Sequence, residues 1–334
     1  MTAPASSWRS QRPSLRDLLR ENGIVVLFVG FVILATAVSG GRFLNPSNVV
    51  NVLFQTSVLG VLALGETLVM LTGGIDLSIV ATAILAAIVI GGAGSERQRE
   101  MSMSSIMPYV GLWPAVAAGI GGAGLVGLLN GLLVVALKIP AFIATLAMSL
   151  LLAGLGMVLS GGAPIDYPDP FFDAFGQAKL IGVPYPAWTF LVIAIALGFA
   201  LSRSAVGLAL YGLGGNPRAA RLSGIPVARI TILMYTLCGL LGGIAGFLFL
   251  ARTGSVANDS GENLLLTTIA AVVVGGVSLS GGQGSIKNAV FGILLLAGLS
   301  NLMNILLVSP HLQDALSGVI ILVAIAANAR LVTR

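Results

Sequence analysis

The chain has 334 residues, of which 57% are hydrophobic and 9% are charged, whereas soluble domains carry about 25% charged residues. A soluble fold could not cover so much apolar surface with polar groups, so the composition excludes a soluble protein and indicates a polytopic membrane protein. The net charge of +5 does not indicate a nucleic-acid surface, because the basic residues lie scattered between apolar runs and form no stripe with aromatic residues.

The apolar runs are continuous rather than alternating, which excludes a β-barrel and predicts an all-α membrane helix bundle. A helix crosses the hydrocarbon layer with about 20 mostly apolar residues. We expect about ten transmembrane helices, at residues 23–41, 49–71, 77–93, 110–136, 141–160, 185–202, 230–251, 264–280, 286–308 and 312–328. The uncharged run 101–137 is too long for one straight helix, so we expect part of it to form a loop.

Basic residues orient these helices, since cytoplasmic loops carry an excess of Lys and Arg. A cytoplasmic N-terminus places 12 of the 17 basic residues inside, and ten crossings then leave both termini in the cytoplasm. Residues 1–22 form a cytoplasmic segment, in which Ser14 and Asp17 at capping-box spacing predict a short interfacial helix. Residues 23–330 form the transmembrane domain, and its first apolar run is interpreted as an uncleaved span rather than a signal peptide.

Glycines predict two kinds of feature. Small residues four positions apart let membrane helices pack closely, and this spacing occurs at Gly127/Gly131 and at Gly242/Gly246. Adjacent glycines followed by polar residues predict helix breaks that face protein or a water-filled cavity. The hexapeptides GGIDLS (73–78) and GGVSLS (275–280) also resemble each other, which predicts a degenerate internal repeat of the kind found in transporters; chance similarity in a Gly/Leu-rich chain is the alternative.

Polar residues inside the apolar runs are candidates for a translocation path. A charge at the bilayer centre costs about 2.5–3.5 kcal/mol on insertion scales and usually faces a cavity or a partner. Glu66 suits proton coupling, a substrate contact or a position near the cytoplasmic interface, while Asp76 suits a ligand contact or a cap for the next helix. The asparagines suit a hydroxyl-rich ligand or interhelical hydrogen bonds. The path candidates are Glu66, Gly73, Gly74, Asp76, Asn130, Gly275, Gly276, Ser278, Asn301 and Asn304.

Catalytic and metal-binding signatures are missing from the sequence. Cys238 and His311 are the only residues of their types, which excludes a disulfide framework and a metal site with several Cys or His ligands. The segment GIGGAG (119–124) lies inside an apolar run without a preceding strand, and GGQGSIK (281–287) does not fit the phosphate-loop pattern. We therefore expect no enzyme activity, metal or cofactor, and no ATP hydrolysis by this chain alone.

The loop between residues 203 and 229 carries a helix signature. Asn216 is a good N-cap and Pro217 suits the first helical position, while Gly224 suits the end of the helix. Arg218, Arg221 and Leu222 lie between them. The pattern predicts a compact basic surface helix that docks a cytoplasmic partner; a simple positively charged anchor is the alternative.

Four segments, in order, carry a resemblance to a known family. They are TLVMLTGGIDLS (67–78), NGLLVVALKIPAFIATL (130–146), GLGGNPRAARLSGI (212–225) and AAVVVGGVSLSGGQGS (270–285). Together they resemble the ribose-type permeases of bacterial ABC sugar importers, and the similarity extends from Asn45 to Asn328. The chain departs from the family pattern at Ile79 to Ala81, where Val-Gly-Ser is usual, and at Glu66, where a neutral residue is usual.

The resemblance implies a permease subunit in the bacterial inner membrane that translocates a monosaccharide or related polyol. It also implies a cytoplasmic ATPase that contacts Asn216, Pro217, Arg218, Arg221 and Leu222, a periplasmic solute-binding protein, and a second permease copy or a paralogue. The GGIDLS and GGVSLS segments would lie near the path. Two alternatives remain open: a nucleoside or branched-chain amino acid permease of the wider superfamily, and a proton-coupled secondary transporter that uses Glu66.

Overall fold

The computed structural model describes residues 23–94, 107–167, 170–261 and 263–309, together with scattered positions between 311 and 322. These residues are predominantly helical, which confirms the all-α prediction. The interfacial helix predicted within residues 1–22 lies outside the described residues, and so does most of the predicted span 312–328.

In the described part of the chain the helices pack together in one bundle, with a 3-10 helix at Arg42–Leu44. The segments between helices form two short antiparallel strand pairs. They are β1 (Ile165–Asp166) with β4 (Ser255–Val256), and β2 (Lys179–Leu180) with β3 (Val183–Pro184). The helices are α1 Gly23–Val38, α2 Pro46–Leu71, α3 Ile79–Gly94, α4 Leu112–Val135, α5 Ala141–Ser160, α6 Pro170–Gln177, α7 Tyr185–Arg203, α8 Ala205–Gly215, α9 Pro217–Leu222, α10 Val227–Thr253, α11 Leu264–Val274 and α12 Ile286–Ile305.

Six of these helices, α2, α4, α5, α7, α10 and α12, are long and apolar enough to cross a membrane, and α1, α3, α8 and α11 are apolar but shorter. Each of the first nine predicted spans contains a helix. The predicted span 264–280 was too long, because α11 ends at Val274 and the following Gly276 has a φ of 81°. Helix α8 was not predicted; the Ser204 hydroxyl caps it by accepting a hydrogen bond from the Gly207 amide at 3.1 Å.

Helices α2 and α10 form the centre of the bundle. Every residue of α2 from Thr56 to Leu71 is buried, and α10 packs against α2, α3 and α4. A Cβ atom added at Gly131 would lie 2.8 Å from the Cα of Ile232 on α10, and one at Gly242 would lie 3.3 Å from the Ile79 carbonyl oxygen on α3. These approaches, repeated at Gly127 and Gly246, confirm that both predicted small-residue pairs are sites of close helix packing.

The chain order defines two ends of the bundle. Helix α9 lies between the last residue of α7 and the first residue of α10, and we call the end that carries it the coupling end. Leu71, at the end of α2, accepts a hydrogen bond from Gly282, just before α12, at 3.0 Å, so these two helix termini lie together. The start of α2, the end of α10 and the end of α12 lie at the opposite end, which we call the far end.

Candidate functional site

Helix α9 has the structure that its local sequence predicts. The Asn216 side-chain oxygen accepts hydrogen bonds from the backbone amides of Arg218 at 3.1 Å and Ala219 at 3.0 Å, which satisfies two of the free donors at the helix start. The helix ends at Leu222, and Gly224 follows with a φ of 82°. A six-residue helix is too short to be stable alone, so the cap and the contacts with the bundle hold it in place.

The two faces of α9 differ. Ala220 is buried against the bundle, whereas Leu222 is 84% exposed, and the Arg218 and Arg221 side chains are also exposed. An exposed leucine beside two guanidinium groups offers both an apolar contact and positive charge to another molecule. The exposed face of α9 is therefore suited to bind a surface that combines an apolar pocket with acidic residues.

Helix α9 is attached to the bundle through a contact between three backbone segments, which we call the glycine junction (Gly73, Gly214, Gly281 and Gly282). A Cβ atom at Gly214, next to last in α8, would collide with the Leu71 carbonyl oxygen and the Gly282 amide. One at Gly281 would lie 2.7 Å from the Gly73 amide nitrogen. Only glycine permits this approach of backbone to backbone. The junction joins the helix breaks after α2 and after α11 to the end of α8, directly before α9.

The two helix breaks have similar backbone geometry, but not at the positions that match when the hexapeptides GGIDLS and GGVSLS are aligned. After α2, Gly73 donates to Met70 O and has a φ of 81°; after α11, Gly276 donates to Val273 O and also has a φ of 81°. Gly73 thus corresponds in backbone geometry to Gly276. The alignment of the two hexapeptides instead matches it with Gly275, the residue that caps α11. The internal repeat remains a prediction.

The break between α2 and α3 is held by a buried group of side chains, which we call the polar cluster (Glu66, Asp76, Ser78 and Asn130). Each is at most 1% exposed. Glu66 Oε1 accepts from the Asp76 amide at 3.2 Å, and Asp76 Oδ1 accepts from the Ser78 amide at 2.9 Å and the Ser78 hydroxyl at 2.6 Å. Asn130 of α4 donates to Ser78 Oγ at 2.8 Å. Asp76 thus accepts hydrogen bonds from the residue just before α3, which corresponds to one of the two roles expected for it.

The backbone oxygen of Ile75, within this break, is paired with two side-chain hydroxyls. Ile75 O accepts from the Tyr235 hydroxyl of α10 at 3.3 Å and from the Thr145 hydroxyl of α5 at 3.4 Å. Side chains of α2, α4, α5 and α10 therefore hydrogen-bond to groups that this interruption of a membrane helix leaves free. Two buried atoms of the cluster, Glu66 Oε2 and Asn130 Oδ1, have no hydrogen-bond partner among the described residues.

The other predicted path residues lie apart from the polar cluster. Asn301 exchanges hydrogen bonds of 2.9 and 3.0 Å with Asn48, which ties the end of α12 to the start of α2. Asn304 is exposed and accepts from Gln313 at 2.9 Å. Ser278 is buried within the second break, where its hydroxyl accepts from the Ser280 amide at 3.1 Å. A Cβ atom at Gly275 would lie 2.7 Å from the Asn288 carbonyl oxygen.

A large cavity opens at the coupling end beside α9 and has a volume of about 1100 Å³. Its lining includes Gly73 and Gly74 of the first break, and the basic residues Lys138, Arg221 and Arg229. The sequence predicted Arg221 as part of the helix that docks a partner and placed Lys138 and Arg229 in the cytoplasm as positive charges, but nothing local indicates that these three residues surround one space. Adjacent glycines at 73–74, 214–215 and 281–282 were the signals in the sequence that pointed to the glycine junction.

Comparisons with known proteins identify relatives over most of the length of this chain. Residues 48–325 match the family described as branched-chain amino acid transport system/permease component. The chain is 37% identical to the ribose import permease protein RbsC of Escherichia coli (strain K12) over 312 residues, 92% of this chain and 93% of RbsC. It is 34% identical to the L-arabinose transport system permease protein AraH of the same strain over 323 residues, 97% and 93% of the two chains. It is 32% identical to the fructose import permease protein FrcC of Rhizobium meliloti over 311 residues, 91% and 83%. No solved structure matches the chain.

Proposed function

Since the chain belongs to the permease component family of the branched-chain amino acid transport systems, we propose that it is the transmembrane permease subunit of an ATP-driven importer, and that it translocates a monosaccharide or related polyol. The names of its relatives support a sugar as substrate, because they are import or transport permeases for ribose, L-arabinose and fructose. They do not support a nucleoside or a branched-chain amino acid as the substrate.

The observation that carries the proposal is the capped helix α9 and its attachment to both helix breaks. A separate ATPase must transmit its conformational change to the permease through a contact surface. That surface must be connected to the segments of the permease that change conformation during transport. Helix α9 offers exposed Arg218, Arg221 and Leu222 to such a partner, and the glycine junction joins it to the breaks. Glu66 acts as an acceptor for the backbone of the first break, a structural role that needs no proton coupling.

The proposal includes the surroundings of the chain. The coupling end faces the cytoplasm, where the ATPase binds, and the far end faces the periplasm, where a solute-binding protein delivers the sugar. The chain crosses the bacterial inner membrane about ten times with both termini in the cytoplasm. A second permease copy or a paralogue completes the path, because the side chains of the polar cluster are buried among the described residues of one chain, where a sugar does not reach them.

Charge reversal at α9 tests the docking role. We expect the variant Arg218→Glu/Arg221→Glu to insert normally but to lose the co-purifying ATPase subunit, because two attractive groups become repulsive toward an acidic surface. Arg203→Glu is the matched control, since Arg203 is also exposed and lies at the end of α7, outside α9. The measurement is the ATPase-to-permease ratio after affinity purification from native membranes. An unchanged ratio in the double variant would contradict the assignment of α9.

A further inference from the structure

A second cavity, at the far end of the bundle, is not used by the function proposed above. It has a volume of about 260 Å³, near the lower limit of about 300 Å³ for small-molecule sites, and we call it the far-end pocket. Polar side chains from several separate segments line it, above a floor of leucines and Met303. The polar residues are Gln55, Arg252, Asn263, Thr267, Ser300 and Gln313.

The chemistry of this lining suits a ligand rich in hydroxyl groups. Amides and hydroxyls both donate and accept hydrogen bonds, and the Arg252 guanidinium adds donors only. Among the described lining residues there is no carboxylate to pair with the ammonium group of an amino acid and no aromatic ring to stack on a nucleoside base. The apolar floor suits the C–H face of a sugar ring, so a monosaccharide meets both parts of the lining.

Two of the polar groups are held in position by neighbours. The Arg252 guanidinium lies over the Phe54 ring, 6.0 Å from its centre, a distance at which a cation is attracted to the ring. The amide nitrogen of Gln313 donates to Asn304 Oδ1 and to Val308 O, both at 2.9 Å. Groups that are already ordered lose less conformational entropy when a ligand binds. Asn304 therefore acts as a positioning residue for Gln313.

The location fits the arrival of a substrate rather than its release. Arg252 is next to last in α10, the helix that starts at Val227 beside α9. At 1.5 Å per residue these two positions are about 37 Å apart along α10. The far-end pocket therefore lies across the membrane thickness from the surface proposed to bind the ATPase.

We propose that the far-end pocket is the subsite in which the permease receives a monosaccharide released by the binding protein. This inference rests on the proposed function, because it assigns the entry point of the same transport path. It predicts that sugar in the pocket shields the side chains that line it from reagents added on the periplasmic side.

Cysteine protection tests the pocket directly. Cys238 is the only cysteine of the chain and is fully buried, so a Cys238→Ala background gives a permease without reactive thiols. Ser300→Cys, or Thr267→Cys if the first variant does not fold, places a thiol in the pocket. Ser47→Cys is the control, because Ser47 is exposed at the start of α2 and does not line the pocket. The assembled importer in proteoliposomes is treated with a membrane-impermeant thiol reagent, with and without excess D-ribose, L-arabinose or D-fructose.

We expect at least one of these sugars to slow labelling in the pocket but not at Ser47→Cys, and L-leucine to slow neither. Gln55→Leu should then lower the maximal uptake rate of that sugar by about threefold to tenfold, as for one lost hydrogen bond. Ser202→Ala, at the coupling end, should leave it unchanged. Labelling that no sugar slows, or no labelling in the pocket at all, would overturn the pocket while a wild-type importer still transports sugar. A wild-type importer that assembles with its ATPase but takes up no monosaccharide or polyol from a panel that includes these three sugars would overturn the proposed function itself.

Discussion

A single methyl group at Gly214 tests whether the glycine junction connects α9 to the helix breaks. The added Cβ would collide with the Leu71 carbonyl oxygen and the Gly282 amide, which are joined by a hydrogen bond of 3.0 Å. Both neighbours are backbone atoms, so no side chain can rotate away to make room. Overpacking of this kind costs about 1–3 kcal/mol, and loss of the Leu71–Gly282 hydrogen bond adds about 1 kcal/mol.

The neighbouring residue provides a matched control. A Cβ atom at Gly215 meets nothing within 4 Å, and alanine is a better helix former than glycine by about 1 kcal/mol. In detergent we expect Gly214→Ala to lower the melting temperature by about 5 °C and Gly215→Ala to leave it unchanged or slightly higher. In proteoliposomes Gly214→Ala should retain the ATPase subunit but transport less sugar for each ATP hydrolysed. If both variants matched the wild type in melting temperature and in this ratio, the reasoning about the junction would be refuted.

Two further predictions concern buried polar groups. Glu66→Leu removes the acceptor of the Asp76 amide and should destabilise the fold by about 1–3 kcal/mol. Glu66→Gln keeps an acceptor and should retain both the stability of the fold and uptake that resists an ionophore. Loss of uptake in a stable Glu66→Gln variant would favour proton coupling instead. Asn48 and Asn301 exchange two hydrogen bonds. A double-mutant cycle of alanine variants, measured by thermal unfolding, should give a coupling free energy of about 0.6 kcal/mol. Additive effects of the two single variants would show that the pair contributes nothing to stability.

The parts of the fold that the sequence predicts well depend on local signals. The start and end of α9 follow from Asn216, Pro217 and Gly224, which act within three or four residues of one another. Most helix positions follow from the length of the apolar runs. Helix α8 was not predicted, because basic residues flank it on both sides and the whole segment 203–229 was therefore interpreted as a cytoplasmic loop. Its cap at Ser204 is also a weaker signal than the Asn216-Pro217 pair of α9.

The candidate sites depend on contacts between distant parts of the chain, which one sequence does not reveal. The glycine pairs indicate where helices break, but not that Leu71 meets Gly282 or that Gly214 fits between them. Arg252 was not among the candidate residues that the sequence identified, and the far-end pocket draws its other polar residues from positions between 55 and 313. Polar residues in apolar runs identify candidates; their grouping is set by tertiary packing.

The continuous helix α10 suggests how the two ends of the bundle could act together. It begins at Val227, a few residues after α9, and ends beside the far-end pocket at Thr253. Between these points Gly239 and Gly243 pack closely on α4, and Gly242 and Gly246 on α3. Close-packed interfaces of this kind resist gradual deformation, so a displacement of α9 would move α10 together with α3 and α4 as one rigid unit. Under the proposed function, ATPase binding at α9 would then change both the first helix break, through Tyr235, and the Arg252 side of the pocket.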